Sequence, residues 1–231
     1  MEDKTLSLSF EKSLDSNMFD DIGEIADLGI NLLMDNEILK NIPFVSTTMR
    51  IYHIGKTVHD RIYISKLIAF LNEINNGIAD ENERKKYQEK FKCNENFRNK
   101  ELEYILILID RYIDCKKPKM LSKLYLAYLD EQIDWQDFLT YAEVIDRLLI
   151  RDYELFISDK ETFTVRVEIE EDSILRLESL GLLADVSNAK RYNNVENGFY
   201  RTTWNDLEKI PIERVFQRTN FGKILLDVLS I

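Results

Sequence analysis

Glycine and proline are scarce, seven and three in 231 residues. An all-β fold needs more turns than so few breakers allow, so the composition points to helices. Two cysteines, Cys93 and Cys115, are too few for a secreted disulfide framework, and 22 positions apart they form no CxxC pair. No run of about 18 apolar residues occurs, which excludes a transmembrane helix. The opening MEDKTLSLSFEKSLD lacks a basic segment followed by an apolar one, so no signal peptide is expected and the cytoplasm is the expected location. The glycine loops GxGxxG and GxxxxGKS/T are missing, as are GxSxG and HExxH. These absences leave no sequence ground for a catalytic site, and no cofactor is expected.

Hydrophobic residues make up 45% of the chain and charged residues 32%, a balance that suits a packed fold rather than a disordered chain. Eleven tyrosines and twelve phenylalanines supply bulk for its core. The formal net charge is −11, unevenly spread. The first forty residues hold ten acids against three bases, whereas residues 41–79 hold only Asp60 and Glu73 against Arg50, Lys56, Arg61 and Lys66. Such an average repels nucleic-acid backbones unless a local basic patch overrides it. The acidic N-terminal region reads as a solvated face or as a surface for a basic partner.

Residues 1–17 are polar, with Leu6, Leu8 and Phe10 alternating, and read as a flexible N-terminal arm. From Asp20 to Leu33 the apolar spacing turns helical. Pro43 stands where a helix can begin without losing a hydrogen bond, and Gly77 where one can stop. Between them, Ile51, Ile54, Val58 and Ile62 form one stripe, and Ile64, Leu67, Ile68 and Leu71 the next. This stretch suits the core hairpin of the N-terminal region; its few acids and wide apolar face also suit a helix lying on a membrane or a partner. Asp80–Lys92, rich in both signs of charge, reads as an exposed helix or a loose connector. Tyr104–Ile109 is apolar on every side and is expected to be buried all round. Lys119–Leu129 and a helix from an Asp134 cap to about Phe156 read as an antiparallel pair. After Ser158 the pattern changes: a strand in Thr162–Ile169, a helix over Asp172–Leu180 ending at Gly181, strands at Leu182–Val186 and Phe199–Trp204, and a last helix capped by Thr219.

His53 and His59 are the only histidines. On one helix they would point about 240° apart and could share no metal. Asp130 and Asp134 lack the glycine and glutamate of a calcium loop. The acid groups Glu168–Glu171–Asp172 and Asp152–Glu154–Asp159 read as solvated clusters in an acidic protein, so no metal is expected.

The segments RLESLGLLADVS (Arg176–Ser187), FYRTTW (Phe199–Trp204) and RTNFGKILLDVL (Arg218–Leu229) resemble the latter half of a winged helix over about 70 residues. Many winged helices bind DNA through the helix before the wing. Here that helix carries Glu170, Glu171, Asp172 and Glu178 against Arg176 alone, and Lys190, Arg191 and Arg201 are the basic residues placed to compensate. From about Gly23 onward, the pattern of these helices and of the "LGLL … RTNFGK" ending also resembles bacterial abortive-infection proteins, a resemblance that implies a phage-defence role without a mechanism.

The expected fold is mainly α: the arm 1–17, a helical bundle over 18–158, and a small winged-helix-like α+β unit over 159–231. The expected function is a non-enzymatic, prokaryotic or phage interaction protein working through contacts with a partner protein or with its own copies. Two alternatives stay open: a DNA-binding regulator using Lys190, Arg191 and Arg201, and a membrane-acting effector using the 41–74 segment with Ile51, Ile54, Val58 and Ile62.

Overall fold

A computed structural model describes residues 5–15, 22, 39, 41–54, 57–164, 168–187 and 214–230. Helices dominate, and a three-stranded antiparallel sheet lies near the C-terminus, giving a mainly α chain with a small α+β part. The chain divides into two compact units, residues 1–146 and 147–230, so the change of character near Lys160 falls inside the second.

In the first unit, α1 (Leu6–Ser13) occupies the segment expected to be a flexible arm. Thr5 caps it by accepting from the Leu8 amide at 3.4 Å. Its serines hid this helix from a hydrophobicity reading, because they sit inside the fold rather than in solvent. Ser7 Oγ donates to the Phe91 carbonyl at 2.8 Å, and Ser13 Oγ accepts from the Phe44 amide at 2.9 Å. Small polar side chains thus let the helix approach its neighbours closely while satisfying buried backbone groups. Between them Phe10, fully buried, meets the rings of Phe91 at 4.7 Å and Phe44 at 5.0 Å.

Helix α2 (Pro43–Ile51) starts with Pro43 in the first turn, as its missing amide hydrogen permits. It does not run into α3 (Val58–Gly77). His53 takes a positive φ of 51°, and the Ile54 amide closes back on the Met49 carbonyl at 2.9 Å. A reciprocal capping box then restarts the chain: Thr57 Oγ1 accepts from the Asp60 amide, and Asp60 Oδ2 accepts from the Thr57 amide. The single stripe of Ile51, Ile54, Val58 and Ile62 is therefore split across two helices and their connection. Ile64, Leu67, Ile68 and Leu71 do face the core, each no more than 1% exposed.

Helix α4 (Glu81–Cys93) is no loose connector: Asp80 caps it, and Tyr87 and Phe91 bury its inner face. Helix α5 (Glu95–Arg111) buries Leu102, Ile105, Leu106, Leu108 and Ile109 but leaves Ile107 55% exposed. The run Tyr104–Ile109 is thus not enclosed all round, because the neighbouring helices cover only one side of it. Helices α6 (Lys116–Leu129) and α7 (Trp135–Arg147) follow, α6 packing along α3. The Asp134–Asp137 cap forms as expected, with the Asp137 amide donating to Asp134 Oδ1 at 2.8 Å. Helix α7 stops at Arg147 instead of reaching Phe156; after Leu148 and Leu149 a separate α8 (Ile150–Phe156) begins.

The second unit adds β1 (Phe163–Thr164), α9 (Glu168–Ser179), β2 (Leu183–Asp185), β3 (Val215–Arg218) and α10 (Asn220–Ser230). The expected strand over Thr162–Ile169 is shorter, since α9 has begun by Glu168. The order is β1-β3-β2, both pairings antiparallel, with Phe163 opposite Phe216 and Ala184 opposite Gln217. Strand β3 had no alternating run to mark it; Arg218 instead ties it in, donating to the carbonyls of Phe156, Ser158 and Lys160 between the rings of Phe156 and Phe163. Thr219 caps α10, its Oγ1 accepting from the Gly222 amide at 2.9 Å. Gly222 is required by close approach: a Cβ there would sit 2.3 Å from the Leu182 carbonyl oxygen.

Helices α8 and α9 are joined by Asp152, 1% exposed, which accepts two hydrogen bonds from Arg176 at 2.6 and 2.8 Å. Burial pushes the Asp152 carboxyl up, but the hydrogen bonds from Arg176 and Ser173 outweigh it and hold the group below its ordinary value. A carboxyl depressed on folding adds stability above its unfolded pKa and loses it as pH falls through the folded one. Acid titration of melting should therefore show this unit weakening below about pH 4, and Asp152→Asn should cost about 1.5–3 kcal/mol at neutral pH and flatten the acid limb. An unchanged acid limb in that variant would remove Asp152 from the account.

The helix expected over Asp20–Leu33 lies outside the described residues except for Ile22, which is buried. The polar loop after Ser187 and the expected strand Phe199–Trp204 lie outside them too.

Candidate functional site

The first unit carries a cleft of about 350 Å³ between the α2–α3 connection, the first turns of α3 and the C-terminal half of α5. Helical spacing assembles one wall: Leu106 with Asp110 and Ile107 with Arg111 stand one turn apart along α5. His59, Asp60 and Tyr63 do the same on α3. Tyr52 and Ile54 close the cleft from the connection.

Two contacts set the helices in register. Lys66, two turns beyond His59 and 3% exposed, donates from Nζ to the carbonyls of Asp110 at 2.9 Å and Tyr112 at 2.8 Å. Its ammonium satisfies the end of α5 where the helix dipole is negative. Burial lowers the Lys66 pKa, and the nearby Asp110 carboxylate offsets part of that. At the rim, His59 Nε2 lies 3.2 Å from Asp110 Oδ1. Arg111, also on the cleft, pairs with Asp146.

The cleft lining mixes the apolar Ile54, Leu106 and Ile107 with polar and charged groups, and exposed apolar residues adjoin it in the chain. Val58 is 72% exposed, Ile51 and Tyr52 each 45%, and Ile62 36%. Burial raises the Tyr63 hydroxyl well above its ordinary range, with Tyr52 and Asp110 adding to it; burial and Glu103 raise Tyr52. Both tyrosines are therefore neutral phenols at neutral pH, able to donate a hydrogen bond or present a ring face. Among the described residues lining the cleft there is no serine, threonine or cysteine to act as a nucleophile. The arrangement offers shape, apolar contact and polar groups that include both carboxylates and a guanidinium.

The sequence-derived candidates divide clearly. Ile51, Val58 and Ile62 are exposed beside the cleft, and Ile54 lines it. His53 and His59 do not share a helix, so the angular argument that separated them is replaced by the break at His53. Among the described residues, no group of three or more His, Cys, Asp or Glu is placed to hold a metal ion. Cys93 and Cys115 are exposed thiols. Lys190, Arg191 and Arg201 lie outside the described residues. The α5 wall had one signal in the sequence, an isoleucine, Ile107, one helical turn before Asp110–Arg111. No described helix is long and apolar enough to cross a membrane. No protein-family model matches the chain, and neither does any curated protein or solved structure.

Proposed function

We propose that this chain is an interaction protein whose first unit binds a partner protein through the face around this cleft. The observation that carries the reading is the exposure of Ile107, which lines the depression, and of Ile51, Val58 and Ile62, whose chain neighbours Tyr52, His59 and Tyr63 line it. Scattered exposed apolar residues are ordinary, but a contiguous set rimmed by polar groups marks a contact surface. The resemblance to abortive-infection proteins supports phage defence as the setting of that contact.

The DNA-binding reading draws support from the β1-β3-β2 sheet but meets a charge problem in α9. Its single cation, Arg176, is already engaged by Asp152, so no basic side chain on that helix is available to neutralise phosphates. The membrane reading meets Asp60 and Asp110 on the same face as the exposed isoleucines, which anionic lipid repels.

The test is affinity capture from a lysate of the source organism with the wild type and with Val58→Glu/Ile107→Glu. Both positions are exposed, so the melting curve should hold within about 0.5 kcal/mol of stability. A protein retained by the wild type and lost by the variant is the expected result. Identical captures by both would contradict the reading; salt-sensitive DNA retention lost in Lys190→Glu/Arg191→Glu would favour the regulator instead.

A further inference from the structure

We infer that the cleft is a binding site for a small neutral molecule, a carbonyl compound with a ring-sized apolar body. This goes beyond the interaction reading and stands independently of it. Tyr63 lines the cleft yet is only 7% exposed, and among the described residues no hydrogen bond reaches its hydroxyl. A buried hydroxyl in that position calls for an acceptor from whatever fills the adjoining space. Burial, with Tyr52 and Asp110 beside it, keeps the phenol protonated at neutral pH, so it donates.

The charged groups around it are already committed. Asp60 closes the capping box of α3, Asp110 Oδ1 faces His59 Nε2 at 3.2 Å, and Arg111 pairs with Asp146. An ionic ligand would have to disturb one of these pairings before it gained a partner. A neutral acceptor disturbs none of them and meets the buried donor that they leave over. The rest of the ligand lies against Ile54, Leu106, Ile107 and the tyrosine rings, a lining that suits an apolar body. The volume of about 350 Å³ is at the small end of the roughly 300–1,000 Å³ of ligand pockets, room for a ring or two rather than a large cofactor.

The probes are benzamide, benzoate, benzylammonium and toluene, which share one ring and differ in charge and in the acceptor. Saturation-transfer NMR with the full chain should give benzamide the lowest dissociation constant of the four. Tyr63→Phe should weaken benzamide about five- to tenfold, the loss of one hydrogen bond, and leave toluene as it was. Because that hydroxyl ties nothing together in the fold, the melting temperature should not fall. Ile107→Ser should weaken benzamide and toluene alike, whereas Ile224→Ser, a similarly exposed isoleucine on α10, should weaken neither. Tighter binding of benzoate or benzylammonium than of benzamide would overturn the inference, because the site would then select an ion. Toluene binding as tightly as benzamide, or Tyr63→Phe leaving benzamide unaffected, would overturn it too, since neither result uses the donor. A lower melting temperature in Tyr63→Phe would give the hydroxyl a structural role and overturn it on that ground. Weakening in Ile224→Ser equal to that in Ile107→Ser would reduce the binding to adsorption on exposed apolar residues. If none of the four binds at about 10 mM, a concentration within reach of ligands with so few atoms, the cleft takes no such molecule and the inference fails.

Discussion

Phe10→Ala should destabilise the first unit by about 3–5 kcal/mol, the cost of emptying a large aromatic site in a packed core. Phe10 is fully buried, and its ring meets those of Phe44, Phe70, Phe91 and Tyr125, which come from four different helices. Removing it leaves a cavity that cannot collapse without moving α2, α3, α4 and α6 together. Urea denaturation followed by tyrosine fluorescence measures the loss, and Phe10→Leu should recover much of it by refilling volume. A loss below about 1 kcal/mol in Phe10→Ala would mean that α1 is an accessory and not a core element.

Glu101→Ala should cost a similar amount, about 3–5 kcal/mol, through charge and not volume. Glu101 is 2% exposed and accepts from Arg98 Nη1 at 2.6 Å, from the Tyr128 hydroxyl and from the Tyr125 hydroxyl at 3.5 Å. Arg98 is itself only 11% exposed, its guanidinium lying over the rings of Phe91, Phe97 and Tyr128. Without Glu101 that cation stays buried with no counter-charge, and two phenols lose an acceptor. The decisive comparison is a double-mutant cycle: Arg98→Met/Glu101→Leu should be more stable than Glu101→Ala alone, because it removes the stranded charge and fills the space. If the double variant is the sum of the two singles, the pair does not act as a unit.

The fold was legible where local chemistry and tertiary demand agreed. Pro43 began α2, Asp134 with Asp137 began α7, and Thr219 began α10, because each signal acts on the backbone within one turn. It was illegible where tertiary packing decided. The serines of α1 look like solvent-facing residues until Ser7 and Ser13 find buried partners on Phe91 and Phe44. Strand β3 is defined by pairing on both sides and by Arg218, neither of which leaves a local pattern. Of the stripe Ile51, Ile54, Val58 and Ile62, only Ile54 lines the candidate cleft. The break at His53 and the exposure of Ile107 were not legible, since a run of apolar residues does not say which of its faces the neighbours will leave open.

The central claim is that the face around the α3–α5 cleft is where this chain meets its partner. Hydrogen–deuterium exchange of the full chain, with and without a captured partner, tests it most directly, because protection maps contact by segment. The account predicts new protection over residues 51–63 and 103–111, lost together with binding in Val58→Glu/Ile107→Glu. Protection confined to residues 186–214, with both cleft segments exchanging as in the free chain, would contradict it.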